Sequence, residues 1–226
     1  MEQGGSDLQL AIQGVAVDQK AQGILSVALT TTRGQIDALY HPAEGEGGAL
    51  ICVGGAGGGT SGPAKGLYER LGHALNAQGV STLRVDYRQP GEFVECVLDV
   101  LGALSFLKGV GAQRVVLAGH SFGGAVVIKA GELSPLVSGV VSLSPQLYGT
   151  REVQNLAPRP LLLVHGIMDD ILSAECSKDI YERALEPKQV VLLAESDHLL
   201  EHDAEKVFEL VKQWVLEQTR NLAHLN

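Results

Sequence analysis

Basic residues are scarce: 17 Lys and Arg stand against 26 Asp and Glu in 226 residues, a formal charge of −9. Nucleic-acid binding needs clustered Lys and Arg to displace counterions from phosphates, and the sequence holds no such cluster, so no nucleic-acid partner is expected. Long apolar runs are missing as well. No window reaches the eighteen or so uninterrupted apolar residues of a membrane span, so no membrane association is expected. The opening MEQGGSDLQL carries acid rather than base and has no apolar core, which does not read as a secretory signal. Cysteine is limited to Cys52, Cys96 and Cys176, with no C-x-x-C pair. That pattern fits neither a disulfide framework nor a structural zinc site, and reduced thiols in a cytoplasmic protein are the expectation. Aromatic residues make up only 4% of the chain, which argues against a deep aromatic cage around any ligand.

Glycine is plentiful, at 28 residues, and apolar residues make up 45%. From residue 49 onward, short Val- and Leu-rich runs alternate with longer amphipathic ones. Ala49–Val53, Ser81–Val85, Arg114–Ala118, Gly139–Leu143, Pro160–Val164 and Gln189–Leu193 read as strands covered on both faces. Ala64–Ala77, Glu92–Leu107 and Ala204–Glu217 carry apolar stripes at helical spacing. Such alternation predicts an α/β fold with a mostly parallel sheet and helices on both faces. Leu8–Val17, Ile24–Thr31 and Gln35–Tyr40 look like strands joined by short turns, an antiparallel edge at the N-terminal side. The stretch Ala43–Gly48 is short enough to be a loop, and no linker or repeat divides the chain, so residues 1–226 read as one domain.

After the strand Arg114–Ala118 comes Gly119-His120-Ser121-Phe122-Gly123-Gly124, then a helix-compatible run. This is G-x-S-x-G between a strand and a helix, the context in which a strained turn lifts a serine hydroxyl above the sheet edge. Gly119 and Gly123 are needed where a Cβ would strike neighbouring backbone. The bland alternative is a glycine-rich turn with an ordinary N-cap serine. A serine hydroxyl is a weak nucleophile and needs a base held by an acid. The strand Pro160–Val164 runs into His165-Gly166-Ile167-Met168-Asp169-Asp170, and the strand Gln189–Leu193 into Glu195-Ser196-Asp197-His198. The chain order Ser, Asp, His is that of the nucleophile-elbow hydrolases.

On these residues the chain resembles the α/β-hydrolase superfamily, and within it the small members without a cap, similar to dienelactone hydrolase. The resemblance runs from Ala49 to the last helix. It implies Asp169 as the acid, with Asp170 as its competitor, and His198 as the base. It implies an oxyanion hole from the backbone N–H groups of Ala56, in the loop Gly54–Pro63, and of Phe122; Gly55 lies one residue from that assignment. Only Ser144–Arg159 separates the fourth and fifth parallel runs, room for a loop or one helical turn, so no cap domain and an open site are expected. Tyr148, Leu147, Met168, Phe122 and Leu199 fall on loops at the carboxyl edge and are candidate pocket walls. Arg88 lies near the same edge and is a candidate for a substrate carboxylate.

Two rival patterns need weighing. Gly57, Gly59 and Gly62 satisfy G-x-G-x-x-G, with Asp86 about 24 residues beyond, as in dinucleotide sites. The pattern starts four residues past the strand end, however, and leaves Ser121, Asp169 and His198 as coincidence. His198-Leu199-Leu200-Glu201-His202 reads H-x-x-E-H, a zinc-peptidase pattern that requires a further protein ligand. No metal or organic cofactor is expected. Among the other histidines, His165 reads as a structural hydrogen-bonder, His120 as a neighbour lining the site and His202 as a helix-surface residue, while His41, His73 and His224 carry no signal. The expected function is a serine hydrolase of carboxylic esters or thioesters with a small-molecule substrate; the competing class is a non-catalytic protein of the same fold that binds a ligand or partner. Oligomeric state and natural substrate are not written in these patterns.

Overall fold

The computed structural model describes residues 9–45 and 47–220. Leu8, Glu46 and His224 lie outside them. Nine strands form one sheet: β1 (Ile12–Gln19), β2 (Leu25–Thr31), β3 (Gly34–His41), β4 (Gly48–Val53), β5 (Val80–Asp86), β6 (Arg114–His120), β7 (Val137–Leu143), β8 (Leu161–Gly166) and β9 (Lys188–Leu193). Their spatial order is β1-β2-β3-β5-β4-β6-β7-β8-β9. β1 to β3 and the β3–β5 pairing are antiparallel; every pairing from β5 through β9 is parallel. Among the described residues no helix is long and apolar enough to cross a membrane.

Helices α1 (Pro63–Asn76) and α5 (Ala204–Thr219) cover one face; α2 (Phe93–Gly109), α3 (Phe122–Leu133) and α4 (Glu175–Arg183) belong to the other. The Val and Leu runs supply both layers by alternation. Leu50, Cys52, Val116 and Ala118 point toward α1 and α5, whereas Ile51, Val53, Val115 and Leu117 point the other way. β4 lies between β5 and β6. Chain leaving β4 passes through α1 to β5; chain leaving β6 passes through α3, on the opposite face, to β7. The carboxyl ends of β4 and β6 therefore open a crevice, the topological switch point where ligands bind in open α/β sheets. The β7–β8 connection contains a single short 3-10 turn, Val153–Leu156, and no cap.

Three expectations change in detail. The edge strand begins at Ile12 rather than at Leu8 and runs on to Gln19. The first turn of α1 is left-handed, with φ of 50° at Ala64, 56° at Lys65 and 76° at Gly66. Two non-glycine residues in that region cost energy, on the order of 1–2 kcal/mol each, so surrounding contacts must hold them there. Arg88 is the third. Its side chain is 3% exposed and points away from the crevice, donating to Asp99, to Glu95 and to the Arg33 carbonyl. Glu95 also pairs with Arg33. The network ties the β2–β3 turn and the loop after β5 to the fully buried Asp99 of α2, and it holds the Arg88 guanidinium buried among its own partners rather than at the crevice. Burial pushes the Asp99 carboxyl above its ordinary range, and the Arg88 bonds oppose that shift.

His41, at the end of β3, is buried against Gly72 of α1, with its ring edge-on to His73 and its Nε2 without a partner. Burial, and then the Arg84 charge, lower its pKa to about 4.

Two outcomes follow from these buried groups. Arg88→Met leaves the Asp99 charge unpaired and lowers the unfolding free energy by about 3–5 kcal/mol in urea titrations; a variant of unchanged stability with a raised KM for carboxylated esters alone would restore Arg88 to the substrate. For His41, the folded-state pKa lies below the unfolded value of 6.5, so protonation favours the unfolded chain. Its contribution to stability is intact above that value and is lost as the pH falls toward 4. His41→Leu should therefore flatten the drop in melting temperature between ~pH 7 and ~pH 4.5; an unchanged slope contradicts the assignment.

Candidate active site

The crevice is built from four loops. β6 ends at His120, and Ser121 adopts φ 58° and ψ −119° before α3 begins at Phe122. A β-carbon on Gly119 would overlap the Gly123 carbonyl, and one on Gly123 would overlap the Gly54 carbonyl. Strand, turn and helix pack so closely here that only glycine fits on either side of the serine. The Ser121 N–H donates to the Leu143 carbonyl at 2.8 Å, anchoring the strained residue to β7. The Phe122 N–H begins the helix and has no intrahelical acceptor.

The loop after β4 lies against this turn. Gly55 faces the serine: a β-carbon there would sit 3.6 Å from Ser121 Cβ. Gly58 N–H donates to the Gly55 carbonyl at 3.0 Å, closing a tight turn with Ala56 exposed at its tip. Asp86, at the end of β5, accepts from the Gly59 N–H at 2.9 Å. The carboxylate that completed the dinucleotide pattern thus fastens the glycine loop. Because α1 opens with left-handed residues, that loop also does not lead into a regular helix N-terminus suited to a pyrophosphate.

The loop after β8 delivers Asp169. Its Oδ1 accepts the N–H groups of Ile171 at 2.9 Å and Leu172 at 2.8 Å. Its Oδ2 faces two histidines, His198 Nδ1 at 2.7 Å and His165 Nε2 at 3.1 Å. A carboxylate only accepts, so both ring nitrogens donate. His165 Nε2 also donates to the Leu172 carbonyl at 2.9 Å, and its Nδ1 faces Ser177 Oγ of α4 at 2.7 Å. The histidine is thereby fixed as the Nε2–H tautomer that accepts from the serine. Burial alone would raise the Asp169 carboxyl, but the Leu172 and Ile171 amides and His198 outweigh it and hold the group ionised below its ordinary range. Asp170 is exposed and has no part in this arrangement.

The loop after β9 delivers His198, largely buried with 14% of its side chain exposed. With Nδ1 donating to Asp169, its Nε2 is the nitrogen left to accept a proton. The ring of His120, adjacent to Ser121, lies 4.8 Å from that of His198, and His120 Nε2 donates to the His198 carbonyl at 2.9 Å. Ser121, Asp169 and His198 thus converge on one edge. No hydrogen bond joins Ser121 Oγ to His198 among the described residues, so the closed contact is the one between histidine and carboxylate.

The pocket walls are open. Tyr148 is 72% and Met168 64% exposed, and Leu147, Ile167, Ile171 and Leu199 are exposed at the same rim. Phe93 joins this wall without a sequence signal: its ring stands edge-on to Tyr148 at 5.4 Å and to Phe122 at 5.9 Å. Between the glycine loop, His120 and Leu199 lies a cavity of about 220 Å³. His202 sits before α5, not on it, and pairs with Glu195 at 3.1 Å. Among the described residues no cluster of His, Cys, Asp or Glu is spaced to hold a metal ion.

Comparison with known proteins bears on the fold. Residues 50–177 match the model of the alpha/beta hydrolase family. The uncharacterized protein YfhR of Escherichia coli (strain K12) is 27% identical over 113 residues, 40% of this chain and 40% of that one; the matched segment spans well under two thirds of that relative. Dienelactone hydrolase from Anabaena variabilis superposes with a TM-score of 0.74 at 17% identity, covering 91% of this chain and 99% of the other. Est1E from Butyrivibrio proteoclasticus superposes at 0.69 and 20% identity, over 91% and 99%. Acetyl xylan esterase 1 from Thermoanaerobacterium sp. does so at 0.69 and 19%, over 93% and 89%. At such identities the structural likeness speaks to the fold, and together with the family match over more than half the sequence it establishes that the chain belongs to the alpha/beta hydrolase family.

Proposed function

We propose that the protein is a serine hydrolase that cleaves carboxylic esters or thioesters of small to medium size through an acyl-enzyme. The observation that carries this reading is the 2.7 Å bond from His198 Nδ1 to Asp169, which leaves His198 Nε2 as a proton acceptor on the edge where Ser121 projects. Ser121 Oγ attacks the carbonyl carbon while its proton passes to His198 Nε2. The C–O bond so formed places negative charge on the former carbonyl oxygen, received by the N–H groups of Phe122 and Ala56, worth about 3 kcal/mol each in comparable sites. Collapse breaks the bond to the leaving alcohol or thiol, which takes the proton from His198. Water then repeats the sequence: His198 removes its proton, the hydroxide oxygen bonds the acyl carbon, and Ser121 departs with the proton returned.

Asp169 keeps the imidazole in one tautomer and stabilises the imidazolium. The serine–histidine hydrogen bond closes as substrate binds, since catalytic contacts are often loose in the empty enzyme. The open rim, with Tyr148, Met168 and Leu199 around the serine, suits a substrate that need not pass beneath a lid, and no cofactor is called for by these steps.

A panel of p-nitrophenyl esters and acyl thioesters tests the reading. Wild type should turn over at least one class, and Ser121→Ala should fall to the uncatalysed rate; equal activity of the two would remove Ser121 from the mechanism. The acid assignment has its own test. Asp169→Asn should lower kcat on the order of 10,000-fold, as expected when the histidine is held in the wrong tautomer, while Asp170→Asn stays within about threefold of wild type. The reverse order would transfer the role to Asp170.

A further inference from the structure

We infer that His120 is a positioning residue: its imidazole and the left-handed turn at Ala64 together grip the backbone of His198 and Leu199 and set the base over Ser121. The inference rests on the Ser121–His198–Asp169 mechanism proposed above and adds a device to it.

Three contacts act on His198 and Leu199 themselves. Asp169 holds the side chain through Nδ1. On the main chain, His120 Nε2 donates to the His198 carbonyl at 2.9 Å, and the Ala64 N–H donates to the Leu199 carbonyl at 2.7 Å. The donors to these two carbonyls come from opposite walls of the crevice, one from the end of β6 and the other from the start of α1. Neither is cheap. His120 is a buried ring, and Ala64 lies in a left-handed conformation that an ordinary helix start would not use. Leu200 also has a positive φ, 57°, where the gripped loop turns toward α5. Strain on both sides of one hydrogen-bonded segment is the pattern of a part held in place by its surroundings.

The chemistry of His120 fits this task. A carbonyl only accepts, so Nε2 carries the proton. Burial lowers its pKa to about 4 and keeps the ring neutral, although the bond to the His198 carbonyl pulls the other way. A neutral ring can lie against His198 without repelling the imidazolium that forms during turnover. His120 also adjoins Ser121 in sequence, so one rigid strand end supplies the nucleophile and the pin for its base. A displacement of the base by about 1 Å is enough to cost on the order of 100-fold in rate.

Glutamine and asparagine separate the pin from simple space filling. A Gln amide at residue 120 reaches about as far as the imidazole Nε2, whereas an Asn amide stops near the position of Nδ1. With a p-nitrophenyl ester that wild type hydrolyses, His120→Asn should lower kcat by about 10- to 100-fold with KM within about threefold, and should move the acid limb of the kcat/KM profile. His120→Gln should restore kcat to within about threefold of wild type. Labelling of Ser121 by a fluorophosphonate should follow the same order. The inference is overturned if folded His120→Asn keeps the wild-type rate and pH profile, or if His120→Gln, with wild-type melting temperature, is as slow as the Asn variant. Should the Asn variant fail to fold, His120→Gln decides alone: with a wild-type melting temperature, kcat within about threefold of wild type supports the inference and kcat lowered by about 10-fold or more overturns it. Failure of wild type to label at Ser121 is a different result and removes the underlying mechanism as well.

Discussion

A single carboxylate organises the site. Asp169 is buried, and burying a charge is costly unless its lone pairs are occupied. Here two backbone amides and two imidazoles occupy them. The amides come from the tight loop after β8, one imidazole from the strand end itself and the other from the loop after β9. Each bond lowers the cost of keeping Asp169 ionised, and the ionised state is what fixes the proton of His198 on Nδ1. Were Asp169 neutral or turned away, His198 would be free to present either nitrogen, and the mechanism proposed above would lack a dependable base for the serine. His165, which holds Asp169 from below and is in turn held by Ser177 of α4, extends this dependence into the body of the fold.

The sheet topology makes the convergence possible. Adjacent strands β4 and β6 send their connections to opposite faces, so the chain diverges above their carboxyl ends and leaves a crevice at the sheet edge. The glycine loop fills one side and the Ser121 turn the other. Their contact is so close that Gly123 meets the Gly54 carbonyl without space for a methyl group. The strained conformation of Ser121 is sustained by the buried parallel strands β4 and β6 and by the bond to β7, not by the turn alone. Asp86 and the left-handed start of α1 add rigidity from the neighbouring strand and helix.

Much of this was legible in the sequence. The Val- and Leu-rich runs gave the parallel strands because burial on both faces leaves no polar alternation to obscure them. G-x-S-x-G was informative because a strand preceded it and a helix followed. Other parts left little trace. α4 is mostly polar, with only Ser177 and Ile180 buried, so it shows no apolar stripe. The edge strand β1 is largely exposed, and its bounds shifted accordingly. Arg88 looked available because position along a strand says nothing of where a long side chain turns, and the buried Asp99 that captures it lies on a different helix. Asp86, Phe93 and Ala64 matter through contacts across the fold, which no local pattern encodes.

The exposed rim of Tyr148, Met168 and Leu199 leaves the chemistry accessible, and this accessibility permits a direct test. Rapid mixing with p-nitrophenyl acetate, acid quenching within the first turnover and mass mapping of the peptides should reveal one acetyl group on Ser121, formed at least as fast as the burst of p-nitrophenol and lost at the steady-state rate. Hydrolysis proceeding with no acetyl group on Ser121 at any time, in a protein that still releases p-nitrophenol in a burst, would contradict the account.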